Sequence, residues 1–303
     1  YTHLGGILAK QNYGIPLVIT THSLEPLRPW KREQLAGGYD FSVWGEKTAI
    51  EMGAAIIGVS KDTKNDIIRL FKVDPKKIHI IHNGIDLGEY RKVAAPELVK
   101  AVGVDPAKPY VLFVGRITRQ KGIIHLVNAI KHMDPGFQVV LCASSPDTPE
   151  IAAEMQAHVA EMQKIRSGII WIRDMVDTAT KIALYSHASV FCCPSVYEPF
   201  GIINLEAMAC EVPVVATAVG GIKEVVVEGK TGFLVPIRQR GKGSAEPADP
   251  QGFSRALAAR INRLMKDKNL RARMGQAGRQ RAIDSFSWSS IAEKTHDLYK
   301  SLI

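Results

Sequence analysis

Long apolar runs are absent from this 303-residue chain, and no stretch approaches the roughly 20 residues that a membrane-spanning helix needs. Cysteine is scarce. Cys142, Cys192, Cys193 and Cys210 are the only four, and they lack the spacing of a metal site or a redox pair. Cys192 and Cys193 sit in an apolar run and Cys210 in a helical pattern, so all four read as packing thiols suited to a reducing cytoplasm. Aromatic residues do not interleave with the basic residues between Arg255 and Arg281, which removes the stacking platform that single-stranded nucleic acid requires. Two glycine signatures for phosphate are missing as well. Gly229-Lys230-Thr231 has Glu224 where a P-loop needs its first glycine, and no GxGxxG occurs. No repeat of solenoid period is visible, and no cluster of carboxylates and histidines suggests a metal.

Acidic residues are outnumbered, 30 against 39 basic, and the formal charge of +9 suits an anionic ligand. Much of the excess lies in Arg260, Arg263, Lys266, Lys268, Arg271, Arg273, Arg279 and Arg281. Apolar Ile261, Leu264, Leu270 and Met274 alternate with them, the pattern of helices with one solvated face. A membrane surface would want bulky aromatics beside such a face, and no single stretch combines the two. With 46% hydrophobic and 23% charged residues the chain is ordinary globular material, long enough for two cores. Short β-rich runs near 17–20, 55–59, 78–82, 110–114, 138–142, 168–172, 189–193, 212–216 and 232–235 alternate with helical patterns. That alternation predicts an α/β fold of parallel, doubly wound sheets. Residues 93–109 are rich in proline and alanine and read as a linker, and the polar stretch 238–250 reads as an exposed loop.

Glu198 and Glu206 are the most informative pair, with seven residues between them. They follow the apolar run Ala188–Cys193 and precede the helical pattern Leu205–Cys210, so Glu198 falls in a loop above a strand end and Glu206 about one turn into a helix. Gly201, Ile202 and Ile203 lie between them, where free backbone N–H groups attract anions. Carboxylates on both sides of such a helix start suit a phosphate that carries hydroxyl-rich groups, as a nucleotide sugar does. On its own the pair is commonplace, since a helical glutamate usually faces solvent. A second element strengthens it. Tyr110–Val114 reads as a strand closed by Gly115, after which Arg116, Arg119 and Lys121 crowd the turn before a helix. Cations at that place are where open α/β sheets bind phosphorylated ligands, Arg116 as a fork and Lys121 as a point charge.

Gly115-Arg116-x4-Lys121-Gly122 followed by Glu198-Pro-Phe-Gly-x4-Glu206 resembles the donor site of glycosyltransferase family 4. Val59-Ser60, His82-Asn-Gly-Ile-Asp86, Pro194-Ser195, Gly220-Gly-Ile222 and Gly232-Phe-Leu-Val235 extend the likeness over nearly the whole chain. The resemblance implies a retaining enzyme of GT-B fold that needs neither metal nor cofactor. Thr21–Lys31 and Gln34–Tyr39 are similar to the branch of bacterial glycogen synthases that adds single glucose units to a glucan or to glucose 1-phosphate, with ADP-glucose as the favoured donor. By the same likeness Arg116 and Lys121 meet the donor diphosphate, Glu198 the sugar hydroxyls and Glu206 the ribose. Gly115, Phe200, Gly201, Ile202 and Ile203 line the sugar and phosphate, and the backbone of Met175 and Val176 reads the base. His22, at a strand end, stands beside the reacting sugar. Trp30 and Lys31, with Arg28 and Arg32 near them, are candidates to hold the acceptor.

The family's glycine-rich loop, which follows the first strand of its N-terminal domain, has no counterpart, and the chain reads as starting within that domain. The expected division is therefore a partial first domain over 1–92, a linker over 93–109, a nucleotide-sugar domain over 110–285 and a last helix over 286–303 returning to the first domain. The partners implied are a nucleotide sugar and a glucan or sugar phosphate, with no nucleic acid. A lipid or small-sugar acceptor stays open, since some relatives glycosylate lipids, and so does nucleotide-sugar binding without turnover. The sequence does not decide oligomeric state.

Overall fold

The computed structural model describes residues 2–29, 31–241 and 246–303. These residues form two compact units, 1–84 with 288–303 and 85–287.

The first unit runs α1 (Thr2–Tyr13), β1 (Val18–Thr21), α2 (Lys31–Leu35), α3 (Gly38–Met52), β2 (Ala55–Gly58), α4 (Lys61–Phe71) and β3 (Ile78–Ile80). The strands form a parallel sheet of order β1-β2-β3. Every residue of β2 is buried, as expected of a central parallel strand covered on both faces. Ser60 caps α4 by accepting a hydrogen bond from the Thr63 amide at 3.1 Å. Ile19, Leu24, Ile50, Ile56, Ile67, Phe71 and Ile78 fill one core of this unit. A second cluster joins Ala55, Ile57 and Ile81 to Ile291 and Leu298. Ile291 and Leu298 belong to the final helix, Trp288–Lys300, which is part of this unit.

The second unit begins with α5 (Pro96–Ala101), β4 (Tyr110–Arg116), α6 (Ile123–Ala129), β5 (Gln138–Ser144), α7 (Pro149–Ile165) and β6 (Ile169–Ile172). It continues with α8 (Thr178–His187), β7 (Val190–Cys193), α9 (Ile202–Ala209), β8 (Val214–Thr217), α10 (Ile222–Val225), β9 (Gly232–Val235), α11 (Pro250–Lys266) and α12 (Lys268–Phe286). The final helix of the chain is α13. All strand pairs are parallel, in the order β6-β5-β4-β7-β8-β9. The chain winds outward from β4 through β5 to β6, then returns to lay β7 against the other side of β4. The connections leaving β4 and β7 therefore diverge and open a crevice above their C-terminal ends, where open α/β sheets bind ligands. All nine strands coincide with the β-rich runs of the sequence to within a residue or two.

Residues 93–109, read as a linker, carry α5, with Pro96 at its first position and Val99 fully buried. The first compact unit also ends at Gly84 rather than near residue 92. Hydrogen bonds to and from the backbone of this segment explain the earlier boundary. Ile85 donates to the Phe286 carbonyl at 2.8 Å. The Arg279 guanidinium donates to the carbonyls of Tyr90, Ala209 and Leu87 at 2.7, 3.0 and 3.2 Å, fastening 85–92 to the second unit. The ends of the polar loop are tied together by Ala248 to Arg238 at 2.7 Å and Arg240 to Glu246 at 3.0 Å. Among the described residues no helix is long and apolar enough to cross a membrane.

Candidate active site

Glu198 is fixed before its side chain makes any contact. The Gly221 amide donates to its carbonyl at 3.1 Å, and the turn holding this amide descends from β8. Across the crevice, the Thr118 hydroxyl accepts from the Lys121 amide at 3.1 Å and shapes the turn after β4. The Val196 amide donates to the Gln120 carbonyl at 2.9 Å and pins that turn to the loop after β7. Gly122 sits at φ +61, and a Cβ there would collide with the Pro194 carbonyl oxygen, so the close approach of the two loops depends on glycine.

With both loops fixed, the Lys121 Nζ lies 2.7 Å from the Glu198 Oε2. The Ser195 hydroxyl stands at 3.5 Å from the same oxygen. Burial works against the Lys121 ammonium, but the Glu198 carboxylate outweighs it and holds the lysine pKa above its ordinary value. The pair meets in a setting with little water to screen it.

Arg116 ends β4 on the same rim, and its charge is felt by Lys121. Its guanidinium pairs with Asp147 at 3.1 Å while remaining 59% exposed. Asp147 is brought there by the backbone, because its amide donates to the Ile117 carbonyl at 3.2 Å and the Ile117 amide donates to Ser144 at 3.0 Å. No sequence signal announces this partner, since Asp147 follows an unrelated strand. Arg116 and Lys121 thus share the rim, but each leans on a different carboxylate.

Gly201 precedes α9, whose first internal bond runs from the Asn204 amide to the Gly201 carbonyl at 3.0 Å. The amides of Ile202 and Ile203 precede that bond and have no intrahelical partner. Ile202 is 41% exposed, whereas the Phe200 ring is buried against Phe286 at 5.9 Å between centroids. The expectation that Phe200 lines the sugar therefore falls on its backbone, because its ring belongs to the core. One turn into α9, the buried Glu206 accepts from the Tyr185 hydroxyl at 2.9 Å and from the Lys181 Nζ at 3.2 Å. Neither partner stands out in the sequence. Met175 is 84% exposed and Val176 half-buried, in the segment leading to α8, whose cap is the Asp177 carboxylate accepting from the Thr180 amide at 2.7 Å. Gly115, Arg116, Lys121, Glu198, Gly201–Ile203 and Glu206 thus gather around the ends of β4 and β7 and the start of α9.

His22 and Lys31 belong to the first unit. His22 is exposed just beyond β1, whose last residue is held by the Thr21 hydroxyl donating to the Ile57 carbonyl at 3.0 Å. Lys31 is not a free cation, since its Nζ lies 2.7 Å from Glu25 Oε1, with Arg28 3.9 Å from the same oxygen. Arg32 forms a two-pronged contact with Asp40. Trp30 lies outside the described residues. All four cysteines are buried and free, and burial pushes the Cys142 thiol up to about 11.

Residues 95–246 match the family of glycosyl transferases group 1, and residues 1–89 match glycosyltransferase family 4. The chain is 46% identical, over its whole length and 77% of the relative's, to an alpha-maltose-1-phosphate synthase of Mycolicibacterium smegmatis. It is 47% identical, over the same shares, to the protein of that name from Mycobacterium tuberculosis. Among solved structures, sucrose-phosphate synthase from Thermosynechococcus elongatus superposes with a TM-score of 0.80 at 29% identity, covering 99% of this chain and 71% of that one. The chain belongs to the group 1, family 4 glycosyltransferases of GT-B fold and is a hexosyltransferase.

Proposed function

We propose that this enzyme is a retaining glucosyltransferase. It moves glucose from a nucleoside-diphosphate glucose, with ADP-glucose favoured, to glucose 1-phosphate or the end of an α-glucan. The observation that carries the reading is the half-buried contact of 2.7 Å between Lys121 and Glu198 in the crevice between β4 and β7. It holds a cation for a departing phosphate next to an acceptor of hydrogen bonds for sugar hydroxyls. The 46–47% identity to alpha-maltose-1-phosphate synthases supports a sugar-phosphate product, because maltose 1-phosphate is glucose joined to glucose 1-phosphate.

The obstacle to breaking the bond between sugar C1 and phosphate oxygen is the negative charge that gathers on the diphosphate. Lys121, Arg116 released from Asp147, and the Ile202 and Ile203 amides at the start of α9 receive that charge. One such donor is worth roughly 3–4 kcal/mol of barrier. As C1–O cleaves, the acceptor hydroxyl bonds to C1 on the same face and passes its proton to the departing phosphate oxygen, which preserves the anomeric configuration. Glu198 orients the hexose and Glu206 the ribose through their hydroxyls.

Nucleotide release from ADP-glucose, UDP-glucose and GDP-mannose, with glucose 1-phosphate or glycogen offered, tests the proposal. ADP-glucose with one of these acceptors should give the fastest release, and Arg116→Ala or Glu198→Ala should slow it by about 100-fold or more. Binding of nucleotide sugar with no acceptor-dependent release would overturn the transferase reading. Full activity in both variants would remove the assigned site.

A further inference from the structure

Glu206 arrives at the crevice already held on two sides. Lys181 and Tyr185 are four residues apart on α8, so they share one helical face, and both reach the same carboxylate. Lys181 takes Oε1 and Tyr185 takes Oε2. Each of these partners is anchored in turn. Tyr185 is fully buried, with its ring edge-on to Phe191 at 5.4 Å between centroids. The Lys181 ammonium lies 5.1 Å from the ring centroid of Tyr90. Tyr90 is carried on the segment that Arg279 fastens through its backbone carbonyl at 2.7 Å.

A carboxylate offers about four acceptor directions, two on each oxygen. One direction on each oxygen is taken by these two partners and the Tyr90 side chain bears on the same carboxylate, which fixes the plane of the group while its two oxygens keep acceptor capacity on the side away from α8. A pair of parallel acceptor directions matches a pair of neighbouring hydroxyls. We propose that Lys181 and Tyr185 are positioning residues that set the Glu206 carboxylate for a vicinal diol, so that this enzyme selects ribonucleotides over 2′-deoxyribonucleotides. The inference rests on the reading above that Glu206 grips the ribose. It adds that the discrimination is built on α8 rather than on Glu206 alone.

The test is calorimetric titration of the full chain with ADP and with 2′-deoxy-ADP, and in parallel with UDP and 2′-deoxy-UDP. A hydrogen bond to a charged acceptor supports a preference of roughly tenfold or more for the ribo form of whichever nucleotide binds. Tyr185→Phe and Lys181→Met should bring that ratio down to about two or three, and Lys181→Arg should restore most of it. Each ratio compares two ligands on one protein sample, so a partly unfolded variant changes the number of sites but not the ratio. A wild-type preference that survives unchanged in Tyr185→Phe and Lys181→Met overturns the positioning role alone. Equal affinity of the wild-type chain for both forms overturns the ribose reading and the positioning role with it.

Discussion

At the scale of single residues, the candidate site is built from ion pairs that are partly removed from water. Lys121 and Glu198 are only 21% and 10% exposed as side chains, so removing one strands the charge of the other. Lys121→Met should therefore lower stability as well as activity. Adding Glu198→Gln should recover most of the stability and none of the activity. Thermal unfolding beside a nucleotide-release assay checks this, and a double variant no more stable than Lys121→Met would contradict it. A different buried carboxylate adds a pH dependence of its own. Glu46, on α3, accepts from the Glu25 amide at 2.9 Å, and burial pushes its pKa from 4.5 up to about 7. A carboxyl with a raised folded pKa binds its proton more tightly when folded. Its contribution is present below pH 4.5 and is lost as pH rises through 7. Glu46→Gln should then stabilise the protein by roughly 3 kcal/mol at pH 8 and by almost nothing at pH 4.5. A melting-temperature gain independent of pH would refute the assignment. Glu198 and Glu206 were readable in the sequence because their spacing straddles a helix start. Asp147, Lys181, Tyr185 and Glu46 were not, since nothing near them in the chain reveals what they meet.

At the scale of elements, the strands were legible because a parallel strand buried on both faces writes itself as a short apolar run, as Tyr110–Val114 and Val190–Cys193 do. Helix α5 was missed although Pro96 and Glu97 form an ordinary helix start. Proline and alanine over a short span also describe a linker, and burial of Val99 decided between the two. The loops that build the site depend on backbone geometry. Gly122→Ala would place a methyl against the Pro194 carbonyl, in addition to the strain of a positive φ, and would push Lys121 away from Glu198. Gly136→Ala is the control, because its φ is +93 but nothing lies within 4 Å of the added carbon. The control should cost about 1–2 kcal/mol and keep full activity, while Gly122→Ala should cost more and abolish turnover. Denaturant unfolding and the release assay together separate these outcomes. Similar losses of activity in both variants would show that the contact with Pro194 is unimportant.

At the scale of the whole molecule, the chain keeps separate cores. Leu298, from the last helix of the sequence, packs with Ala55, Ile57 and Ile81 of the first unit. Leu298→Ala should cost about 2–5 kcal/mol, felt as faster amide exchange in β2 while the amides of β4 and β5 keep their protection. Hydrogen exchange followed by mass spectrometry reads this directly, and uniform loss of protection would show that the molecule opens as one body.

The sequence by itself determined the fold class, the order of strands along the chain and which charged residues stand at the strand ends and helix start of the candidate site. Periodicity, turn chemistry and the spacing around a helix start are local properties, written within a few turns of chain. Only the tertiary structure decided which cation stands against which carboxylate: Lys121 with Glu198, Arg116 with Asp147, Lys181 and Tyr185 with Glu206. These partners come from different strands and helices. The first meeting is set by the return of the chain to lay β7 beside β4, the second by the pairing of β4 with β5 and the third by the packing of α8 beside α9, none of which a local stretch of sequence encodes.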